Sequence, residues 1–219
     1  MELIPSKLYL EVVNNRLNKN SAVDLLIALI EGSDNSDIRA ESLEIVKKIN
    51  LNNDKVYRLI ENCFISDENS IIRCVAADIL FNNFSKAKSF LPLKWASLNE
   101  NSALVIKKLI DLFSRFDDPH FNIFKNNILN RLKYVYDVPL SEINFFLNLE
   151  VIYAEYAKEI NYKVGEAWHK IMNMLRRLPN SKEIIHRAYY FKFGGNEYKP
   201  LQDNSLEYLR KLIFQEINV

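Results

Sequence analysis

Apolar residues recur along the first half of this chain at intervals of three and four, the spacing that gathers them on one face of a helix. Over residues 54–65 the positions Val56, Leu59, Ile60, Cys63 and Phe64 share such a face. The same period predicts helices over residues 5–17 and 21–30, with Pro5 suited to a first turn and Gly32 to a stop. Three further runs continue it: Ile38, Leu43, Ile45, Val46 and Ile49; Ile72, Val75, Ala76, Ile79 and Leu80; and Leu104, Leu109, Ile110 and Phe113. Residues 84–98 read as a shorter element broken by Pro92, because an interior proline removes a helical hydrogen bond and crowds the preceding turn. Residues 119–135, 141–160 and 166–178 read as further amphipathic helices, the first two separated by Pro139 and the last ended by Pro179.

The pattern then changes. Residues 184–193 alternate, with Arg187, Tyr189, Phe191 and Phe193 on one side, and run into Gly194-Gly195-Asn196. This is the sign of a strand and a hairpin turn, with residues 197–201 as the return. An isolated hairpin is only marginally stable in water, so it is expected to pack on a last helix over residues 205–217.

A repeat organises the helical part. Asp34-Asn35-Ser36-Asp37-Ile38-Arg39 returns as Glu68-Asn69-Ser70-Ile71-Ile72-Arg73 and again as Glu100-Asn101-Ser102-Ala103-Leu104-Val105. Each copy opens one of the apolar-periodic runs. An Asp, Asn or Ser side chain at that point accepts a hydrogen bond from a first-turn amide that has no other partner, which contributes about 1 kcal/mol. One further amphipathic stretch lies between consecutive copies. Two helices per repeat of about 33 residues is the pattern of a helix-pair array.

The strings Asp37-Ile38-Arg39-x-x-Ser42-x-x-Ile45-Val46 and Ile72-Arg73-x-x-Ala76-Ala77-x-Ile79-Leu80 resemble the second helix of HEAT repeats over about residues 20–115. The resemblance implies an all-α superhelix of stacked helix pairs, with the residue 5–17 helix as its cap. It also implies a ladder between turn acids and helix arginines, which would give Asp34, Asp37, Arg39, Glu68 and Arg73 mainly structural roles. The third copy departs from the pattern with Val105 in the arginine position, so the ladder ends there or the register shifts. The expected organisation is a repeat stack over residues 1–135, followed over 136–219 by an irregular helical continuation with the hairpin and last helix, in the same domain or a second one.

Composition narrows the function classes. Of 219 residues, 48% are hydrophobic and 26% charged, as in ordinary globular proteins. No apolar run approaches the roughly 20 residues of a membrane-spanning helix, and the N-terminus lacks a secretory pattern, so the cytoplasm is the expected location. With only four glycines, Gly32, Gly165, Gly194 and Gly195, no glycine-rich phosphate cradle can be written. Cys63 and Cys74 are too few for a structural zinc site and fall at apolar helix positions, where buried thiols are expected. No metal or cofactor is implied. Residues 1–70 hold 8 Lys/Arg against 12 Asp/Glu while the whole chain is +1, a mild polarity far from the basic excess of duplex-binding domains.

Candidate chemistry is sparse. His120, His169 and His186 have no ligand-spaced partners and read as structural or surface residues. Trp95 and Trp168 are the residues most apt to anchor a partner, although helix packing is the commoner fate of tryptophan. The dibasic pairs Lys47-Lys48 and Lys107-Lys108 fall on second helices, which in HEAT stacks tend to line the concave face. Glu41, Glu44, Asp78 and Asp111 on the same helices make a mixed solvated face the default reading. The expected function is therefore a non-catalytic scaffold that binds a protein partner through Arg39, Lys47, Lys48, Trp95, Lys107 and Lys108. The alternative is a nucleic-acid enzyme similar to the HEAT-like alkylpurine DNA glycosylases, with Trp95, Trp168 and an acid such as Asp111 on offer. A net charge of +1 disfavours it, since phosphate contacts dominate nucleic-acid affinity.

Overall fold

A computed structural model of the chain describes residues 4–136 and, beyond them, Leu140, Ile143, Asn144, Leu147 and Val151. The hairpin, the helices expected over 166–178 and 205–217, most of that over 141–160, and Trp168, His169 and His186 lie outside the described residues. Eight helices are present among the described residues, and no strand: α1 Pro5–Val13, α2 Lys19–Gly32, α3 Ser36–Ile49, α4 Asp54–Ser66, α5 Ser70–Asn83, α6 Lys86–Asn99, α7 Ala103–Phe113 and α8 Pro119–Tyr136. The chain divides into two units, Met1–Ile128 and Leu129–Val219. Helices α1 to α7 and the first half of α8 belong to the first unit.

Asparagine starts half of these eight helices. Asn18, Asn35, Asn53 and Asn69 each accept first-turn amide hydrogens at the heads of α2, α3, α4 and α5. The two Asp/Glu-Asn-Ser copies that retain arginine are thus true capping turns. In the third, Ser102 makes no side-chain cap, and the Glu100 carboxylate takes the amides of Asn101 and Ser102 instead. Stops are equally local. Asn50 ends α3 in the left-handed region at φ 54°, and α2 ends at Gly32. The first helix is shorter than its periodicity suggests. It halts at Val13 because the chain turns left-handed at Asn15, φ 56°, leaving the amides of Arg16 and Leu17 to fold back on the Glu11 carbonyl.

Pro92 does not break its helix, contrary to expectation. Helix α6 runs unbroken from Lys86 to Asn99. The missing proline N–H leaves the Lys88 carbonyl, four residues back, without its helical donor. Tyr57 of α4 supplies a replacement: its hydroxyl lies 3.0 Å from that carbonyl and 2.7 Å from Glu61 Oε1, and shares its one hydrogen between them.

The helices form two layers. In one, α1 packs on α3, α3 on α5 and α5 on α7; in the other, α4 packs on α6, and the pairs α1/α2, α2/α3, α4/α5 and α5/α6 join the layers. This packing is compatible with a helical repeat. The odd helices pack on one another more extensively than the even ones do. Leu26, Leu43, Ile60, Phe64, Ile72, Ile79, Leu80, Leu93, Leu109 and Phe113 are fully buried. Each such side chain contributes about 1.5–3 kcal/mol of transfer free energy. Phe113 stacks on Phe121 at 5.6 Å and meets Phe124 edge-on at 5.7 Å, which holds the first half of α8 on α7.

Candidate functional site

Arginines tie successive repeats together at one end of the helices. Arg39 pairs with Asp67 and donates from Nε to the Ile30 carbonyl at 3.0 Å. One repeat later, Arg73 forms a two-pronged pair with Glu100, Nε to Oε2 at 2.9 Å and Nη2 to Oε1 at 3.0 Å, and its Nη1 donates to the Asp67 carbonyl at 2.6 Å. The acids engaged are Asp67 and Glu100; the Glu68 side chain is not one of them. Arg39 is thus occupied in holding turns, and its half-buried guanidinium is poorly placed to meet a partner. With Val105 in the third copy, the arginine series stops at Arg73.

A second constellation lies on the odd-helix layer. Asp78 of α5 is an acid set among Ala76, Ala77, Ile79 and Leu80, and its side chain is only 8% exposed. Lys47 reaches it from α3 and Lys108 from α7, the latter at 2.7 Å, while Arg115 just past α7 stands 3.9 Å away. Burial alone would raise the Asp78 carboxyl above the ordinary range, but hydrogen bonds and charge from Lys108 and Lys47 outweigh it and hold the group below that range. The carboxylate is therefore ionised at neutral pH, and it links three consecutive repeats.

The sequence-derived candidates divide accordingly. Lys47 and Lys108 are brought together. Lys48 points away to lie over the Tyr9 ring at 5.8 Å, and Lys107 stands 3.9 Å from Asp111 on its own helix. Trp95 is exposed, but on α6 in the other layer, beside Leu91 and apart from Lys47 and Lys108. Two residues at this constellation escaped sequence reasoning: Arg115 and Phe116, in the turn after α7. Phe116 is 58% exposed, and its ring packs on Phe81 at 5.7 Å, one helical turn along α5 from Asp78. The available signal was Asp78 itself, a lone carboxylate on an apolar stretch that demands nearby cations.

Comparison with protein-family models, with curated proteins and with solved structures finds no match to this chain. Its surfaces are what bear on function.

Other features carry less chemistry. A groove of about 750 Å³ separates α2 and α4, and a cleft of about 620 Å³ lies at the turn end beside Arg39 and Asp67. Both are lined by charges already engaged with each other, such as Lys55 with Asp24 and Arg39 with Asp67. His120 meets the Phe90 ring edge-on at 5.4 Å, with Nδ1 3.5 Å from Asp118. The Cys63 thiol is buried and pushed up to about 11 by that burial; Cys74, half-buried, is pushed up to about 12 for the same reason. Neither is a thiolate at neutral pH. Among the described residues no cluster of three or more His, Cys, Asp or Glu could hold a metal, and no helix is long and apolar enough to cross a membrane.

Proposed function

We propose that this chain is a HEAT-like helix-pair solenoid serving as a non-catalytic scaffold in the cytoplasm, and that its odd-helix surface holds a protein partner. The observation that supports this reading most is the convergence of Lys47 from α3, and of Lys108 and Arg115 from α7 and the turn after it, onto one buried carboxylate of α5 between them. A lysine free in solvent loses rotamer entropy when a partner orders it. Here Asp78 orders two of them in advance, so the surface meets a partner partly preorganised. Recognition spread over consecutive repeats is what stacked helix pairs offer. Of the residues the nucleic-acid enzyme reading would combine, Trp95 and Asp111 stand on different layers, and Trp168 lies outside the described residues.

The test is an affinity pull-down from nuclease-treated extract of the source organism with the wild-type chain, a Lys47→Glu/Lys108→Glu variant, and a Lys94→Glu variant charge-altered on α6. A stoichiometric protein partner, lost in the first variant and kept in the second, is the expected outcome. Recovery of nucleic acid in place of protein when nuclease is omitted would turn the assignment toward the enzyme alternative.

A further inference from the structure

Charge and apolar surface meet at one place on the odd-helix layer, around the α7 terminus. Asp78 is met by three cations, Lys47, Lys108 and Arg115, with one further carboxylate, Glu44, 3.9 Å from Lys47, while Lys107 and Asp111 stand 3.9 Å apart on α7 and offset each other. The local surplus is one positive charge. The carboxylate that gathers the central three is sunk beneath them, whereas Lys47, Lys108 and Arg115 retain 32%, 30% and 46% exposure. An approaching molecule therefore meets the cations first. Immediately beside Arg115, the Phe116 ring lies on Phe81 with more than half its surface in water. A large exposed aromatic next to an arginine is the composition of an interface anchor.

Resting on the scaffold reading, we propose that this patch binds an acidic protein segment carrying an aromatic or large apolar side chain. The segment's carboxylates take the solvent-facing hydrogens of Lys47, Lys108 and the Arg115 guanidinium, whose planar fork suits a carboxylate. Its apolar side chain covers Phe116. Charge complementarity fixes the class of occupant, because three part-exposed cations over one sunken carboxylate suit a short acidic stretch. A nucleic-acid backbone, by contrast, is gripped by about 6–10 phosphate contacts in typical duplex binders. Asp78 has a defined part in this: it aligns the cations, and its single charge leaves them under-neutralised.

Fluorescence anisotropy on the full chain at low salt tests the proposal with a labelled acidic peptide containing one central phenylalanine. The controls are an Asn/Gln analogue, a Phe-to-Ser analogue and a single-stranded oligonucleotide of equal charge. Protein variants are Arg115→Glu and Phe116→Ser, both at exposed positions outside the core, with Lys94→Glu as the control of equal charge change on the even layer. Circular dichroism checks that each is folded. Arg115→Glu is expected to weaken binding about tenfold or more and Phe116→Ser about threefold, with Lys94→Glu unchanged. Failure of the acidic peptide to bind, an equal loss with Lys94→Glu, or tighter binding of the oligonucleotide overturns the proposal. The scaffold reading has a separate readout. If the peptide fails but a captured protein partner is still lost in Arg115→Glu, the segment chemistry is wrong and the odd-helix scaffold stands; if the partner persists in Lys47→Glu/Lys108→Glu as well as in Arg115→Glu, both fall.

Discussion

Replacing Asp78 by asparagine keeps the side chain's shape and one acceptor oxygen while removing the charge on which Lys47 and Lys108 converge. Hydrogen bonds to charged groups contribute about 1.5–3 kcal/mol each when well made. Both lysine heads are about one-third exposed and can rehydrate once released, so the combined loss is discounted to about 1–3 kcal/mol. With a urea slope of about 2 kcal/mol per molar, the midpoint followed by far-UV circular dichroism should fall by about 0.5–1.5 M. Three cations left without their carboxylate also repel one another, so added salt should recover more stability in the variant than in the wild type. The pH dependence has a definite sign. A carboxyl whose folded value lies below its unfolded one, about 3.9, stabilises fully above that unfolded value and loses the contribution as pH falls through the lower folded value. The gap between wild type and variant should therefore be widest at neutral pH and close below about pH 4. A midpoint change under about 0.2 M, or a gap that widens in acid, would refute the reasoning that Asp78 binds three repeats together electrostatically.

Other consequences are checked by the same unfolding assay. Arg73→Met should cost about 3 kcal/mol, since it strips the buried Glu100 carboxylate of its two-pronged partner and the Asp67 carbonyl of a donor; a loss under about 1 kcal/mol would mean that the arginine series is ornamental. Tyr57→Phe should cost about 1 kcal/mol by leaving the Lys88 carbonyl without the donor that replaces the Pro92 amide, and restoring that amide with Pro92→Ala should make Tyr57→Phe nearly neutral in a double-mutant cycle. Ser42 is fully buried, and its hydroxyl has no hydrogen-bond partner among the described residues, so Ser42→Ala should be neutral or stabilise by up to about 1 kcal/mol.

What the sequence disclosed was what is decided within a few residues. The helix starts at Asn35 and Asn69 were legible because a cap needs only its own turn, and the apolar faces followed because burial repeats with the helical period. Pro92 misled for the opposite reason: the donor that rescues its helix is Tyr57, on another helix 35 residues upstream. The arginine partners were only half visible, since Asp67 and Glu68 are equally acidic in the sequence and the path of the turn alone selects Asp67. On the odd-helix face, Lys47, Asp78 and Lys108 looked like scattered members of a mixed surface. Their convergence depends on α5 lying between α3 and α7, which is a property of the stacking. Trp95 had the right chemistry for an anchor, but its helix belongs to the other layer. Arg115 and Phe116 follow the last periodic residue and so fell outside any face that periodicity could draw.

The claim that the odd-helix surface is where a partner sits is tested most directly by lysine footprinting of the chain with and without its captured partner. The account predicts that acetylation of Lys47 and Lys108 is suppressed in the complex while Lys55, Lys88 and Lys94 on the even helices react as before. Protection of the even-helix lysines with Lys47 and Lys108 still reactive would contradict it.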